Sequence, residues 1–312
     1  MDLSVVIPLY NERDNLAPLH DELSRVVGAL GRSYEFVFVD DGSTDGSFDV
    51  LRELHARDQH VRVYRLARNS GQTAALSCGL RNAAGDIVVA IDSDGENDPA
   101  DIPRLLSTLE QGYDLVSGWR SERWQKSVLT RRIPSMAANA LISRITGVEL
   151  HDFGCTLKAY RGDLARKLNL YGEMHRFVPA IAAEQGARIT ELPVNFRVRR
   201  SGRSKYGVGR ILRTLLDLLT VHFLTGYSTR PIQMFGAIGF VLGALGGLWT
   251  LILVTEKVVL GTQLGDRPAL LLAILLIVVG VQFVSLGLIG EMLARTYHES
   301  QDKPIYVIKE EL

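Results

Sequence analysis

Two stretches near the C-terminus carry no charged side chain: residues 232–255, twenty-four positions, and residues 268–290, twenty-three. A helix of about 20 apolar residues spans a bilayer core of roughly 30 Å, so each run is long enough to cross one. One such run could be the core helix of a soluble domain, but two in succession are poorly explained that way. Twelve residues with no net charge, "EKVVLGTQLGDR" (256–267), join them, whereas residues 197–213 upstream hold seven basic side chains and no acidic one. That asymmetry predicts a multi-pass protein of the inner (plasma) membrane, with its front in the cytoplasm and the short connection outside. Just before the first run, "RILRTLLDLLTVHFLTG" sets Arg210, Arg213, Thr214, Asp217 and Thr220 on a polar stripe among leucines. This pattern predicts a helix lying in the membrane interface, although an amphipathic core helix would share it. The expected organisation is a cytoplasmic domain over 1–209, an interfacial segment over 210–230, two membrane helices within 231–291 and a cytoplasmic tail over 292–312.

The front of the chain has a different texture. "LSVVIP" (3–8), "YEFVFVDD" (34–41), "VRVYRLA" (61–67), "DIVVAID" (86–92) and "DLVSGW" (114–119) read as buried strands. Between the first two, Leu16, Leu19, Leu23, Val26, Val27 and Leu30 recur at helical spacing. Alternating strands and helices predict an α/β fold with a mostly parallel sheet covered on both faces, where ligands bind beyond the carboxyl ends of the strands. Thirty-five basic residues balance thirty-five acidic ones, so there is no basic excess to draw nucleic acid. The two cysteines, Cys78 and Cys155, make no disulfide framework, and the N-terminal "MDLSVVIPLYNE" carries no signal-peptide pattern.

Acidic residues gather where two of these strands stop. "VDDGSTDGS" imitates the start of a calcium loop, but the twelfth position counted from Asp41 is Arg52 rather than glutamate. Ser43 and Asp45 suit a helix N-cap, which leaves Asp41 free to accept from a nucleotide base. The turn after the first strand, "PLYNERDN", lacks the glycines of a dinucleotide site, and no Walker-type loop exists. In "AIDSDGENDP", Asp92 and Asp94 lie two apart and can project the same way. They offer hard oxygen ligands for Mg²⁺ or Mn²⁺ together with a diphosphate, and Glu96 could add a third.

Taken in order, "SVVIPLYNE", "VDDGSTDGS", "RNSGQTAAL", "AIDSDGENDP", "SGWR", "DFGCTLKAYR", "RSGRSKYG" and "LGLIGE" resemble the inverting family 2 glycosyltransferases of GT-A fold. The resemblance is to the branch acting on polyprenyl phosphates: undecaprenyl-phosphate 4-deoxy-4-formamido-L-arabinose transferases and, more distantly, dolichyl-phosphate mannose synthases. It covers nearly the whole chain, both apolar runs included. It implies a nucleotide-sugar donor, a polyprenyl phosphate acceptor, a divalent metal and a lipid bilayer, and leaves a homo-oligomer open. It implies that Pro8, Tyr10, Glu12, Val39 and Asp41 form the nucleotide pocket, with Asp92, Ser93 and Asp94 holding the diphosphate and its metal. Arg120 would face the reacting phosphates, Arg131 and Ser135 the acceptor phosphate, and Arg199 and Lys205 would belong to a loop closing over the donor.

Two departures stand out. The commoner Asp-Ala-Asp-Leu-Gln motif ends here in Gly95 and Glu96, and Cys155 falls where some relatives carry an acidic residue, leaving Asp152 as the nearest substitute base or, equally, a structural residue. No strong base is required, because a phosphate monoester with a second pKa of about 6 is already largely an anionic nucleophile at neutral pH. His151 is the one histidine near the motifs and reads as packing or solvent-facing. Two other readings remain at this stage: a processive polysaccharide synthase, which needs a longer membrane region, and an inactive scaffold for lipid-linked sugars, which has no use for Asp92, Asp94, Arg120 and Lys205. The sequence names neither the sugar, nor uridine over guanosine, nor the prenyl chain length.

Overall fold

Strand β1 (Leu3–Leu9) is buried along its whole length in the computed structural model, which describes residues 1–121, 143, 147–170, 174–197, 231–260, 268–300 and 306–312. It leads into α1 (Arg13–Gly28), whose buried Leu16, Leu19, Leu23 and Val27 recur every three to four residues along one face. The alternation continues through β2 (Tyr34–Asp40), α2 (Ser47–Arg57), β3 (Val61–Leu66), α3 (Gln72–Asn82), β4 (Ile87–Ala90), α4 (Ile102–Glu110) and β5 (Leu115–Trp119). These strands fall where the apolar, β-branched runs predict them. Three more strands occupy segments with no such run: β6 (Lys158–Arg161), β7 (Ile189–Pro193) and β8 (Ile308–Glu311). Short helices α5 (Gly162–Lys167) and α6 (Val178–Glu184) lie between β6 and β7.

The eight strands form one sheet in the order β7-β5-β6-β4-β1-β2-β3-β8. β1 pairs in parallel with β2 and β4, β2 with β3, and β5 with β7. β6 runs antiparallel between β4 and β5, and β8 runs antiparallel to β3. The sheet is therefore mixed but mostly parallel, and β1, β2, β4 and β5 all end at the same edge. Alternate residues serve opposite faces. Val5, Ile7, Phe36, Phe38 and Val89 pack with Leu16, Leu23, Leu51 and Leu105 in one cluster under α1, α2 and α4. On the other face α3 lies so close to β1 that a Cβ on Gly79 would meet Val6 Cγ1 at 2.2 Å.

The chain divides into two units, Met1–Val221 with Pro304–Leu312, and His222–Lys303. The second holds α7 (Pro231–Leu260) and α8 (Pro268–Ser300). Phe235–Leu260 and Pro268–Gly290 are long and apolar enough to cross a membrane. They carry exposed apolar side chains such as Phe240, Leu251, Leu271 and Leu286. Their backbones approach closely: a Cβ on Gly239 would lie 2.5 Å from the Gly280 carbonyl oxygen, so only glycine fits there. The 292–312 segment differs from a plain tail. α8 continues to Ser300, and the last residues become β8, with Tyr64 opposite Glu311 and Leu66 opposite Ile308. Tyr306 is buried ahead of it, and Arg52–Glu310 (3.1 Å) and Arg62–Glu311 (3.4 Å) ion pairs flank it. The sequence "IKEE" does not mark a strand, because it has the charges of a solvated edge. The 210–230 segment expected at the interface lies outside the described residues.

Candidate active site

The chain after β1 is laced to the chain after β2. Asn11 N–H donates to Ser43 Oγ (2.9 Å), Glu12 N–H to Ser47 Oγ (3.1 Å) and Arg13 N–H to Asp45 Oδ2 (3.2 Å), while Asn11 Oδ1 accepts from Thr44 N–H (2.9 Å). Asn11 has φ 56°, a left-handed turn that asparagine tolerates. The lacing sets Tyr10, which is 39% exposed, and Glu12 beside the end of β2. Pro8 and Val39 are register partners across β1 and β2 and are buried, which leaves Val39 only main-chain atoms to offer a ligand. Asp41 is buried, and its oxygens accept from the N–H groups of Ser70 (2.7 Å) and Gly71 (2.9 Å). It is thus not the free acceptor expected; only its remaining lone pairs can meet a base. Burial raises its pKa against the pull of those two amides.

After β4 the carboxylates have different company. Asp92 accepts from Gln72 Nε2 (2.9 Å) on Oδ1 and from Thr156 Oγ1 on Oδ2. Asp94 Oδ1 accepts from Glu96 N–H (3.0 Å), and Ser93 between them is buried. Burial, then the negative charges of Asp94 and Glu96, push Asp92 up to about 6, despite Thr156 and Arg120. Glu96 is drawn to Arg120, with 3.9 Å between Oε2 and NH1. Among the described residues no three His, Cys, Asp or Glu side chains are grouped to enclose a metal ion by themselves. A divalent cation nevertheless fits Asp92 and Asp94: two hard-oxygen donors whose mutual repulsion a cation would relieve, with substrate oxygens completing the shell.

Opposite them stands Arg120, following β5 and only 5% exposed. Its Nε donates to Asp152 Oδ2 (2.8 Å) and its NH2 to Asp152 Oδ1 (3.1 Å), a bidentate pair. Burial disfavours the guanidinium charge, and Asp152 more than reverses this, raising its pKa. Asp152 is in turn fixed by its neighbour: Glu191 of β7 accepts from His151 N–H (2.8 Å) and pairs with His151 Nδ1, while the His151 ring stacks on Trp119 at 4.4 Å. His151 is exposed, as a solvent-facing residue would be. Cys155 is buried with its thiol raised by burial, its Sγ 3.7 Å from Asn97 Oδ1. Such a thiol is no substitute for a carboxylate base.

The structure therefore brings Asp92, Asp94, Glu96, Arg120 and Asp152 together and aligns Tyr10, Glu12 and Asp41 along the same edge. Arg131, Ser135, Arg199 and Lys205 lie outside the described residues. Four residues near the site escaped the sequence reading. Gln72 and Thr156 hold Asp92, and His175 meets Thr73 Oγ1 at 2.8 Å. Lys158 is buried in β6, its Nζ donating to the Cys155 carbonyl, its pKa lowered by burial. A lysine within the otherwise buried run "LKAY" is the one signal that could have flagged it.

Residues 4–168 match the family described as Glycosyl transferase family 2, and the chain belongs to that family. It is a glycosyltransferase with a GT-A fold. It is 41% identical to the dodecaprenyl-phosphate galacturonate synthase of Rhizobium johnstonii, over 99% of this chain and 93% of that one. It is 37% identical to the undecaprenyl-phosphate 4-deoxy-4-formamido-L-arabinose transferase of Edwardsiella ictaluri, over 98% and 93% respectively. Among solved structures, glucosyl-3-phosphoglycerate synthase from Mycobacterium tuberculosis in complex with Mn²⁺, uridine diphosphate and phosphoglyceric acid superposes with a TM-score of 0.54. That match has 21% identity and covers 72% of this chain and 78% of that one.

Proposed function

We propose that this enzyme moves one sugar from a nucleotide sugar, with a uridine diphosphate donor favoured over GDP-mannose, to a polyprenyl phosphate at the cytoplasmic face of the inner membrane, with inversion. The observation that carries this reading is the facing of Asp92 and Asp94 by the clamped Arg120 at the strand ends. Relatives named for polyprenyl-phosphate sugar transfer match across both apolar helices, which supports the lipid acceptor. A structural neighbour that binds Mn²⁺ with a uridine nucleotide supports the donor class and a divalent metal, Mg²⁺ or Mn²⁺.

In this reading an oxygen of the acceptor phosphate attacks the anomeric carbon as the bond from that carbon to the donor diphosphate oxygen breaks. The electron pair leaves with the nucleoside diphosphate. A metal held by Asp92 and Asp94 would neutralise charge growing on that leaving group. Arg120, kept charged and aimed by Asp152, adds fixed positive charge on the same side without reorganising. No proton need be removed from the nucleophile, so Asp152 serves as the anchor of Arg120, and both its oxygens are committed to that task.

Purified full-length protein, undecaprenyl phosphate, Mn²⁺ and nucleotide-linked galacturonate, formamido-arabinose, glucose or mannose provide the test. One donor should give a lipid with a single added sugar by mass spectrometry, with the opposite anomeric configuration by NMR. A growing polysaccharide, or no lipid product from any donor despite nucleotide binding, would refute the reading.

A further inference from the structure

Four consecutive residues after β3 hold three partners between them. The N–H groups of Ser70 and Gly71 donate to Asp41, at 2.7 and 2.9 Å. The side-chain amide of Gln72 donates to Asp92 Oδ1 at 2.9 Å. Thr73 Oγ1 meets His175 Nδ1 at 2.8 Å and accepts from the His175 N–H at 3.4 Å. Asp41 follows β2 and Asp92 follows β4, with β1 between them in the sheet, so the turn spans two strand ends that are not neighbours. Gly71 permits it. At φ 94° and ψ 158° it occupies a region open essentially to glycine, and there two successive amides face Asp41 while the next side chain reaches Asp92.

We propose that Gln72 is a positioning residue for Asp92: its amide on Oδ1, with the Thr156 hydroxyl on Oδ2, fixes the rotation of the carboxylate that takes the metal and diphosphate. This rests on the reading of Asp92 given above. Both partners of Asp92 are neutral donors. They orient the carboxylate without cancelling its charge, whereas a lysine or arginine there would compete with the metal. Among the described residues the Gln72 side chain makes no other hydrogen bond. It is exposed, and the start of α3 has no side-chain capping bond. The same turn seats Asp41, so the groups for base and diphosphate are set against each other by one short piece of chain.

The test measures binding to the full-length protein in detergent by calorimetry: Mn²⁺ in the presence of UDP or GDP, and the nucleotide alone in EDTA. Partners of a metal ligand typically change metal affinity by about 10–100-fold. Gln72→Leu should therefore weaken Mn²⁺ at least about tenfold while nucleotide affinity in EDTA and the melting temperature stay as in the wild type. Thr156→Val should do the same, and the double variant should lose less than the product of the two. Unchanged Mn²⁺ affinity in Gln72→Leu overturns the inference alone. So does an equal loss of metal-free nucleotide binding, which would mark a merely structural role. Wild-type protein that takes up no Mn²⁺ with either nucleotide removes the metal reading of Asp92 itself, and this inference with it.

Discussion

Two aspartate-rich turns end neighbouring parts of the same sheet, and they handle their charge in opposite ways. In "DDGSTDGS" the carboxylates are met by main chain: Asp40 by Ser43 N–H, Asp41 by Ser70 and Gly71 N–H, and Asp45 by Ser47 and Arg13 N–H. In "DSDGE" Asp92 has only side-chain donors and feels the charges of Asp94 and Glu96, and Asp94 accepts a single main-chain N–H, from Glu96. A ring of amides stabilises an anion largely by itself, and the first turn adds only Arg65, its Nε 3.6 Å from Asp40 Oδ2. A carboxylate cluster without such a ring holds its charge in reserve for something positive. In the proposed reading the first turn is architecture that can also read a base, and the second takes the metal and the diphosphate.

The contrast can be broken by mutation. Asp94→Asn should leave urea unfolding unchanged or slightly more stable, since it relieves repulsion, while turnover falls about 1,000-fold, equivalent to about 4 kcal/mol of lost transition-state stabilisation. Near-normal turnover in a folded Asp94→Asn protein would erase the distinction between the turns. The next effect concerns pH. With Asp92 raised to about 6 in the folded state, the native protein holds more protons than the unfolded chain between the ordinary carboxylate range and pH 6. Stability of the metal-free protein should fall as pH rises through that window, by at most about 3 kcal/mol. The difference in unfolding free energy between wild type and Asp92→Asn, followed across pH, isolates this contribution. Adding Mn²⁺ with nucleotide should flatten it, and a difference that grows in the other direction would reverse the assignment. The smallest effect is expected at the first turn. Asp41→Asn sets an amide N–H₂ against a main-chain donor and should cost about 1–3 kcal/mol in urea unfolding. Loss of donor binding without loss of stability would make Asp41 a recognition group alone.

Much of this was legible in the chain, for a physical reason. Strands β1 to β5 bury both faces, so they appear as apolar runs, and the acidic turns that follow them are the polar residues such a sheet sets at its ends. β6 carries Lys158, whose cost of burial is met by the Phe153 and Cys155 carbonyls of the turn just upstream, and a main-chain acceptor leaves no residue-type signature in the sequence. Asp92 and Asp94 advertise themselves by spacing. The clamp of Arg120 by Asp152 joins residues separated by 32 positions, and the hold of Thr156 on Asp92 joins residues separated by 64. Only the fold brings those partners together. The two amides on Asp41 are equally invisible in the sequence, because an aspartate at a strand end looks available whether or not another loop already occupies it.

The last strand carries a lesson in parity. β8 is laid against β3, so one sheet is built from chain that precedes the two long apolar helices and chain that follows them. A sheet cannot be assembled from opposite sides of a bilayer. Whatever crossings the chain makes between Pro231 and Ser300 must therefore be even in number, and two spans meet that condition. The strand also makes the protein harder to cut in two. Removing everything from Pro231 onward would strip the edge from β3, expose its unpaired N–H and C=O groups, and uncover the surface where Tyr306 lies. A soluble version of the catalytic half would need the final residues, 306–312, restored to it by a linker.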